Sequence, residues 1–128
     1  MKKLILILLV MMLLTVCGHD KENVQEAVYV NITAQQAKEI MDSQEGYIIL
    51  DTRTREEFDE SHIPGAVLIP HDEIMEKAGG VLTDKEQLIL VYCRSGRRSK
   101  LAAKDLVKLG YTNIKEFGGI IDWPYEVE

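Results

Sequence analysis

Cysteine is scarce in this chain of 128 residues, which contains only Cys17 and Cys93. The sequence also lacks internal repeats, coiled-coil heptads and low-complexity tracts, and this argues against repeat and fibrous architectures. The three histidines, His19, His62 and His71, do not cluster in sequence, and no metal-ligand spacing is present. The length suits one modest domain, for which we expect neither a metal nor a cofactor.

Positive charge is also in short supply, because 15 Lys and Arg residues face 21 Asp and Glu residues and the net charge is −6. Loss of an N-terminal leader carrying Lys2 and Lys3 leaves 13 basic residues against 21 acidic ones, a net charge of −8. Such an acidic body argues against nucleic acid or an anionic membrane surface as the partner. A small anion can still bind where basic residues gather locally.

One long apolar run, residues 4–14, follows two lysines at the start of the chain. The run is too short to span a bilayer comfortably and has the proportions of the hydrophobic region of a secretory signal. We therefore predict a signal peptide over residues 1–17, a polar tether over residues 18–27 and one folded domain over residues 28–127.

Cys17 follows the apolar run directly, in the sequence Leu14-Thr15-Val16-Cys17. This pattern resembles a bacterial lipobox, in which the cysteine is lipidated, although Val16 stands where the pattern has a small residue. Ordinary cleavage after Gly18 and an uncleaved anchor are the alternatives. All three predict export, and a lipid anchor at the outer face of a bacterial membrane is favoured over a periplasmic or secreted form. If Cys17 is lipidated or removed, Cys93 has no disulfide partner, which indicates a reactive thiol.

The rest of the chain alternates strand-like and helix-like patterns. We expect strands near residues 28–31, 47–50, 66–69, 88–92 and 113–117, and helices from Thr33 to Ser43, from Thr54, from Glu73 to Lys77 and from Lys100 to Leu109. In the third helix Asp72 is the expected cap and Gly79-Gly80 the expected end; in the fourth, Leu101, Ala102, Leu106 and Leu109 are the expected inner face. The alternation predicts an α/β domain with a parallel sheet covered on both faces.

Cys93 follows a buried strand and begins a short loop that closes onto the last helix. The free N–H groups and the dipole of a helix N-terminus favour negative charge there, so this position stabilises a thiolate. Arg94, Arg97 and Arg98 add positive charge close by. Gly96 permits a positive φ, so that successive N–H groups can turn inward around an anion.

Three other polar residues sit near strand ends or turns. Asp51 and Arg53 follow the second strand at the edge where we expect Cys93, and they either brace the cysteine loop or form a salt bridge that holds the sheet edge. His62 precedes a Pro-Gly turn, and a hydrogen bond that stabilises this turn is favoured over a role as a base.

Four motifs together resemble single-domain rhodanese-like sulfurtransferases, over about residues 30–125. They are Asp51-Thr52-Arg53; Glu57-Phe58 with His62-Ile63-Pro64-Gly65-Ala66; Cys93-Arg94-Ser95-Gly96-Arg97-Arg98-Ser99; and Gly118-Gly119 before Trp123. The resemblance implies a three-layer fold with about five mainly parallel strands, and a cycle in which Cys93 carries a persulfide. It also implies that Arg94, Ser95, Gly96, Arg97, Arg98 and Ser99 bind an anionic, thiosulfate-like sulfur donor. Arg98 closes the loop, Ser99 heads the helix, and a thiol, a sulfur-acceptor protein or cyanide takes the sulfur.

Two other functions compete with sulfur transfer. Cysteine phosphatases and arsenate reductases place five residues between the cysteine and the arginine, whereas four separate Cys93 from Arg98, which favours a single sulfur over phosphate. A non-enzymatic redox-sensing or protein-binding module is the second alternative, although such modules often lack the cysteine.

Overall fold

Five parallel strands form one sheet in the computed structural model, which describes residues 28–128. The strands are β1 (Val30–Asn31), β2 (Ile48–Asp51), β3 (Val67–Leu68), β4 (Ile89–Cys93) and β5 (Ile114–Gly119), in the spatial order β1-β5-β4-β2-β3. All four strand pairs are parallel, which confirms the predicted fold class. Cys17 and the predicted leader and tether lie outside the described residues. Within residues 28–128, no helix is both long and apolar enough to cross a membrane.

Helices cover both faces of this sheet and bury two separate apolar clusters. The helices are α1 (Ala34–Ser43), α2 (Arg55–Glu60), α3 (Ile74–Val81) and α4 (Arg97–Lys108). The central strand β4 is buried throughout, and its side chains alternate between the two clusters. Ile89 and Val91 pack towards α3 and α4, whereas Leu90 and Tyr92 pack towards α1 and Trp123. The three layers hold the carboxyl end of β4 rigidly at the middle of the sheet edge.

The first two helices begin where their capping residues predict. Thr33 accepts the N–H of Gln36, whose side chain bonds back to the Thr33 N–H, and Thr54 and Glu57 repeat this reciprocal pair at α2. Each box satisfies N–H groups that a helix start otherwise leaves without partners. At α2 the box also fixes the position of the Glu57 carboxylate.

The prediction for α3 is wrong at both ends. A 3-10 turn over His71–Glu73 precedes the helix, no capping side chain bonds to it, and Gly79-Gly80 lie inside it rather than after it. Ile74 and Ala78 are fully buried one turn apart, so packing against the sheet continues the helix through glycines that disfavour it.

The prediction for α4 needs two corrections. The helix begins at Arg97 rather than Lys100, and its buried apolar side chains are Ala102, Ala103 and Leu106, while Leu101 is 41% exposed. Ala102, Ala103 and Leu106 lie at the spacing of one helix face, and the small alanine side chains suit close packing of α4 on the sheet.

Candidate active site

Cys93 is the last residue of β4 and lies at the carboxyl edge of the sheet, where its side chain is 1% exposed. It is a free cysteine. The chain leaves β4 through Arg94 and Ser95, turns at Gly96 and enters α4 at Arg97. The predicted arrangement of a thiol between a strand end and a helix N-terminus is therefore confirmed.

Two hydrogen bonds point at the Cys93 sulfur. The Gly96 N–H lies 3.0 Å from Sγ, and the Ser99 hydroxyl lies 3.3 Å from it. Gly96 has a φ of +104°, a left-handed conformation that turns its N–H inward and that other residues rarely adopt. The loop thus surrounds the sulfur with donors, as the position of Gly96 in the sequence predicts.

Hydrogen bonding is the main cause of the acidity of this thiol. Burial acts to raise the pKa of Cys93, but donors from the Ser99 side chain and from the backbone N–H groups of Ser99, Gly96 and Ser95 outweigh it, so that the pKa lies below its ordinary value. The sequence attributes much of this effect to arginine charge. In the structure the pKa is lowered first by the Ser99 hydroxyl and then by the backbone N–H groups of Ser99, Gly96 and Ser95, whereas Arg94 and Arg97 are exposed.

Arg98 forms a clamp with Glu57. Its two terminal nitrogens lie 2.6 and 2.9 Å from the two Glu57 carboxylate oxygens, a bidentate pair that joins α4 to α2. This agrees with the expectation that Arg98 closes the loop. The sequence alone suggests only surface pairing for Glu57, and its place in the capping box at α2 is the available clue to its fixed position.

The Arg98 clamp makes the stability of the domain depend on pH. Hydrogen bonds from Arg98 lower the pKa of Glu57 from 4.5 to about 2. A lowered carboxyl pKa adds stability above the unfolded value, and this stability is lost as the pH falls from 4.5 towards 2. We expect Glu57→Gln to lower the urea midpoint at pH 7 and to match the wild type near pH 2. The exposed neighbour variant Glu56→Gln serves as the control, and a pH-independent difference contradicts the prediction.

Ser99 lies within the first turn of α4, and it does not cap the helix. It is fully buried, and its hydroxyl oxygen lies 2.7 Å from Glu116 Oε1, closer than it lies to Cys93 Sγ. Glu116 is 2% exposed and also accepts the Gly118 N–H at 2.8 Å. Sequence reasoning missed Glu116, although a glutamate inside a short apolar strand just before two glycines is the signal that marks it.

Strand β5 bulges where it passes the cysteine loop. Val91 pairs with Glu116 and Cys93 with Gly119, so β5 uses one more residue than β4 over this interval. Gly118 takes a φ of +87°, as such a bulge requires. The bulge brings Gly119 directly against the backbone of Arg94 and Ser95, and the Ile121 N–H bonds to the Arg94 carbonyl at 3.2 Å. The loop is therefore held from the β5 side as well as from α4.

Asp51 and Arg53 form a buried ion pair that holds the sheet edge. Arg53 Nη2 lies 2.7 Å from Asp51 Oδ2 and also 2.7 Å from the Ser61 carbonyl, while the Tyr92 hydroxyl donates to Asp51 at 2.6 Å. Of the two roles that the sequence leaves open, the structure supports the salt bridge. Both residues lie beside the β4 end and neither hydrogen-bonds to the sulfur.

His62 stabilises the end of α2. Its Nδ1 lies 2.8 Å from the Phe58 carbonyl, and its ring stacks on the Phe58 ring with centroids 3.8 Å apart. A structural hydrogen bond is therefore present, as favoured over a role as a base, but it lies at the end of α2 and not at the Pro-Gly turn where the sequence predicts it. Within residues 28–128, no group of three His, Cys, Asp or Glu side chains could hold a metal ion.

The fold and the site together define a three-layer α/β domain with a buried thiol at the carboxyl edge of a parallel sheet. The chain belongs to the rhodanese-like domain family, because the sequence model of that family matches residues 33–124. The match covers nearly every described element and includes the whole cysteine loop.

Two relatives of this chain have names that refer to sulfur chemistry. The chain is 36% identical over 111 residues to YrkF of Bacillus subtilis (strain 168), which is named as a sulfur carrier protein, and the match covers 86% of this chain and 58% of YrkF. It is 36% identical over 73 residues to thiosulfate sulfurtransferase PspE of Escherichia coli (strain K12), covering 57% of this chain and 70% of PspE. A solved structure described as a rhodanese with anions from E. coli superposes with a TM-score of 0.60 at 32% identity, covering 64% of this chain and 96% of that one. The chain thus spans little more than half the length of YrkF.

Proposed function

We propose that this protein is a sulfurtransferase that moves a sulfane sulfur from an anionic, thiosulfate-like donor through a Cys93 persulfide to a thiol or cyanide. The observation that carries the proposal is the hydrogen bonding of the Cys93 thiol. Its sulfur accepts the Gly96 N–H at 3.0 Å, and its pKa is lowered. The same N–H groups can hold the negative terminal sulfur of a persulfide, as preorganised donors hold an oxyanion. The sulfur-related names of relatives support this function.

The reaction needs only a thiolate and a ring of donors. The Cys93 thiolate attacks the outer sulfur of thiosulfate; a new S–S bond forms, the S–S bond of the donor breaks, and its electron pair leaves with sulfite. An acceptor thiolate or cyanide then attacks the terminal sulfur of the persulfide, and the Cys93 thiolate departs. Because hydrogen bonds to the sulfur lower the pKa of Cys93 and so favour the thiolate, the proposed steps include no separate base.

The exposed arginines are suited to attracting the donor. Arg94 and Arg97 lie in solvent at the mouth of the loop, and they are local positive charges on an acidic body. Arg98 is already paired with Glu57, so it positions the loop and does not bind the donor. This arrangement disfavours a phosphatase, in which the loop arginine must face the bound oxyanion.

We expect Arg98→Ala to slow sulfur loading by about tenfold or more, because misplaced reacting groups cost rates of at least that order. Arg97→Ala should have a smaller effect that vanishes at 1 M salt, where the screening length falls to about 3 Å. The measurement is the initial rate of mass gain on thiosulfate at low and high salt. Equal losses for the two variants at both salt concentrations contradict this division of roles.

The direct test of the proposed function is intact mass spectrometry after incubation with thiosulfate. A gain of one sulfur atom on Cys93, discharged by cyanide with formation of thiocyanate, is the expected result. Hydrolysis of an aryl phosphate instead would identify a phosphatase, and the absence of any gain or turnover would point to a binding module. Export and lipidation of Cys17 remain predictions from the sequence.

A further inference from the structure

Glu116 is a buried acidic side chain that the proposed reaction does not use. It is 2% exposed, lies in β5, and is separated from the Cys93 sulfur by a single residue, Ser99. Oε1 accepts two hydrogen bonds, from the Ser99 hydroxyl at 2.7 Å and from the Gly118 N–H at 2.8 Å. A negative charge beside a thiolate opposes it, so its presence there needs an explanation.

Ser99 has one hydroxyl proton and several acceptors within reach. Cys93 Sγ lies at 3.3 Å, Glu116 Oε1 at 2.7 Å and the Gly96 carbonyl at 3.1 Å. A hydroxyl donates only one hydrogen bond at a time. While the Ser99 hydroxyl donates to the Glu116 carboxylate, it does not donate to the Cys93 sulfur and does not stabilise a thiolate there.

We propose that Glu116 is a positioning residue that competes with Cys93 for the Ser99 proton, and that this competition favours the sulfur-loaded cysteine over the free thiolate. The bias towards the sulfur-loaded cysteine rests on the proposed sulfur transfer. The competition concerns only the thiol and the carboxylate, and it can be tested without any sulfur donor.

The physical reason is the different position of the negative charge in the two states. In the free thiolate the charge lies on Sγ, next to the contested proton. In the persulfide it lies on the terminal sulfur, about 2 Å further along a new S–S bond. Ser99 and Glu116 occupy one side of the thiol, so the proposal places the added sulfur on the side away from them. The Ser99 proton is then free to bond to Glu116, and the charge repulsion weakens with distance.

Other charged groups near the sulfur do not replace this role. The charge of Cys93 acts on Arg98, whose pKa is raised above its usual value mainly by its hydrogen bonds to Glu57. Asp51 also acts on Arg98, but its carboxylate is bonded to Arg53 and Tyr92. Among the described acidic residues, Glu116 is the one that shares a hydrogen-bond donor with the sulfur.

The first experiment measures the thiol pKa from the pH dependence of Cys93 alkylation by iodoacetamide. Glu116→Gln should lower this pKa by about one unit, because it removes the charge and leaves a neutral amide oxygen that competes more weakly for the Ser99 proton. Ser99→Ala should raise the thiol pKa. When Glu116→Gln is combined with Ser99→Ala, the change in thiol pKa that it causes should be less than about half of the change in the wild-type background, because the interaction acts through Ser99. Glu86→Gln removes an equal charge in the exposed turn before β4 and is the matched control.

The second experiment measures the loading equilibrium in fixed mixtures of thiosulfate and sulfite, above the thiol pKa of every variant. The ratio of loaded to free protein by intact mass should be about threefold or more lower in Glu116→Gln than in the wild type, since the thiolate gains more from the substitution than the persulfide does. Glu86→Gln should match the wild type.

These measurements can overturn the proposal in distinct ways. An unchanged or raised thiol pKa in Glu116→Gln excludes the competition, and a lowered pKa with an unchanged loading ratio excludes the bias towards the loaded form. Glu116→Asp keeps the charge but shortens the reach to Ser99, so it should also lower the thiol pKa, whereas a pure charge effect would leave it unchanged. If the wild type never gains sulfur, the proposed function fails, and the alkylation arm still decides the role of Glu116.

Discussion

Cys93→Ser is expected to abolish sulfur loading and turnover, with activity falling by roughly 1,000-fold or more, as for the loss of a covalent nucleophile. A serine hydroxyl is not ionised near neutral pH, even in a ring of hydrogen-bond donors. The substitution changes little else, because Cys93 is buried at the end of β4 and serine is slightly smaller. The measurements are the mass gain on thiosulfate and the production of thiocyanate from cyanide.

A fold control is essential for this prediction. The urea midpoint of Cys93→Ser should stay near that of the wild type, and wild-type protein alkylated at its thiol should lose activity to the same extent. Sulfur gain in Cys93→Ser would show that Cys93 is not the carrier. A loss of activity together with collapse of the fold would show that the side chain is needed for packing rather than for chemistry.

The fold was predictable where local patterns agree with burial. The apolar run at residues 89–92 is buried on both faces, and this feature marks parallel strands in the sequence. The capping boxes at Thr33 and Thr54 fix two helix starts within the chain itself. The ends of α3 were not predictable, because buried contacts of Ile74 and Ala78 override the glycines that follow them. Local propensity is weaker than the free energy of burying such side chains.

The candidate site was predictable for its backbone and less so for its side chains. The position of Cys93 and the turn at Gly96 follow from order along the chain, since a strand end, a glycine and a helix start are neighbours in sequence. The partners of Arg98 and Ser99 are Glu57 and Glu116, which are 41 and 17 residues away. Such long-range pairs depend on how α2 and β5 meet α4, which the spacing of residues in one sequence does not reveal.

The meeting of β5 with the start of α4 also places Gly118 and Gly119 beside the loop that begins at Cys93. In the bulge of β5, Gly119 stands opposite Cys93, and a Cβ built on Gly119 would overlap the Arg94 carbonyl group and the Ser95 nitrogen. Both are backbone atoms at the root of the donor ring, so they cannot rotate away as a flexible side chain would. The glycine is therefore part of the geometry that holds the thiol.

Gly119→Ala should consequently disable the site without removing any polar side chain. We expect a loss of about 2 kcal/mol or more in unfolding free energy from the overlap, and a fall of roughly 100-fold in loading rate as the Gly96 and Ser95 N–H groups move off the sulfur. The measurements are the urea unfolding curve, the loading rate and the thiol pKa, which should rise as donors are lost.

The matched control is Gly80→Ala, in α3, where an added Cβ meets no atom within 4 Å. Because alanine favours a helix, that variant should load normally and gain about 0.5–1 kcal/mol of stability. Normal loading by Gly119→Ala would mean that the ring of donors tolerates displacement, and the proposed hold on the persulfide would then be wrong.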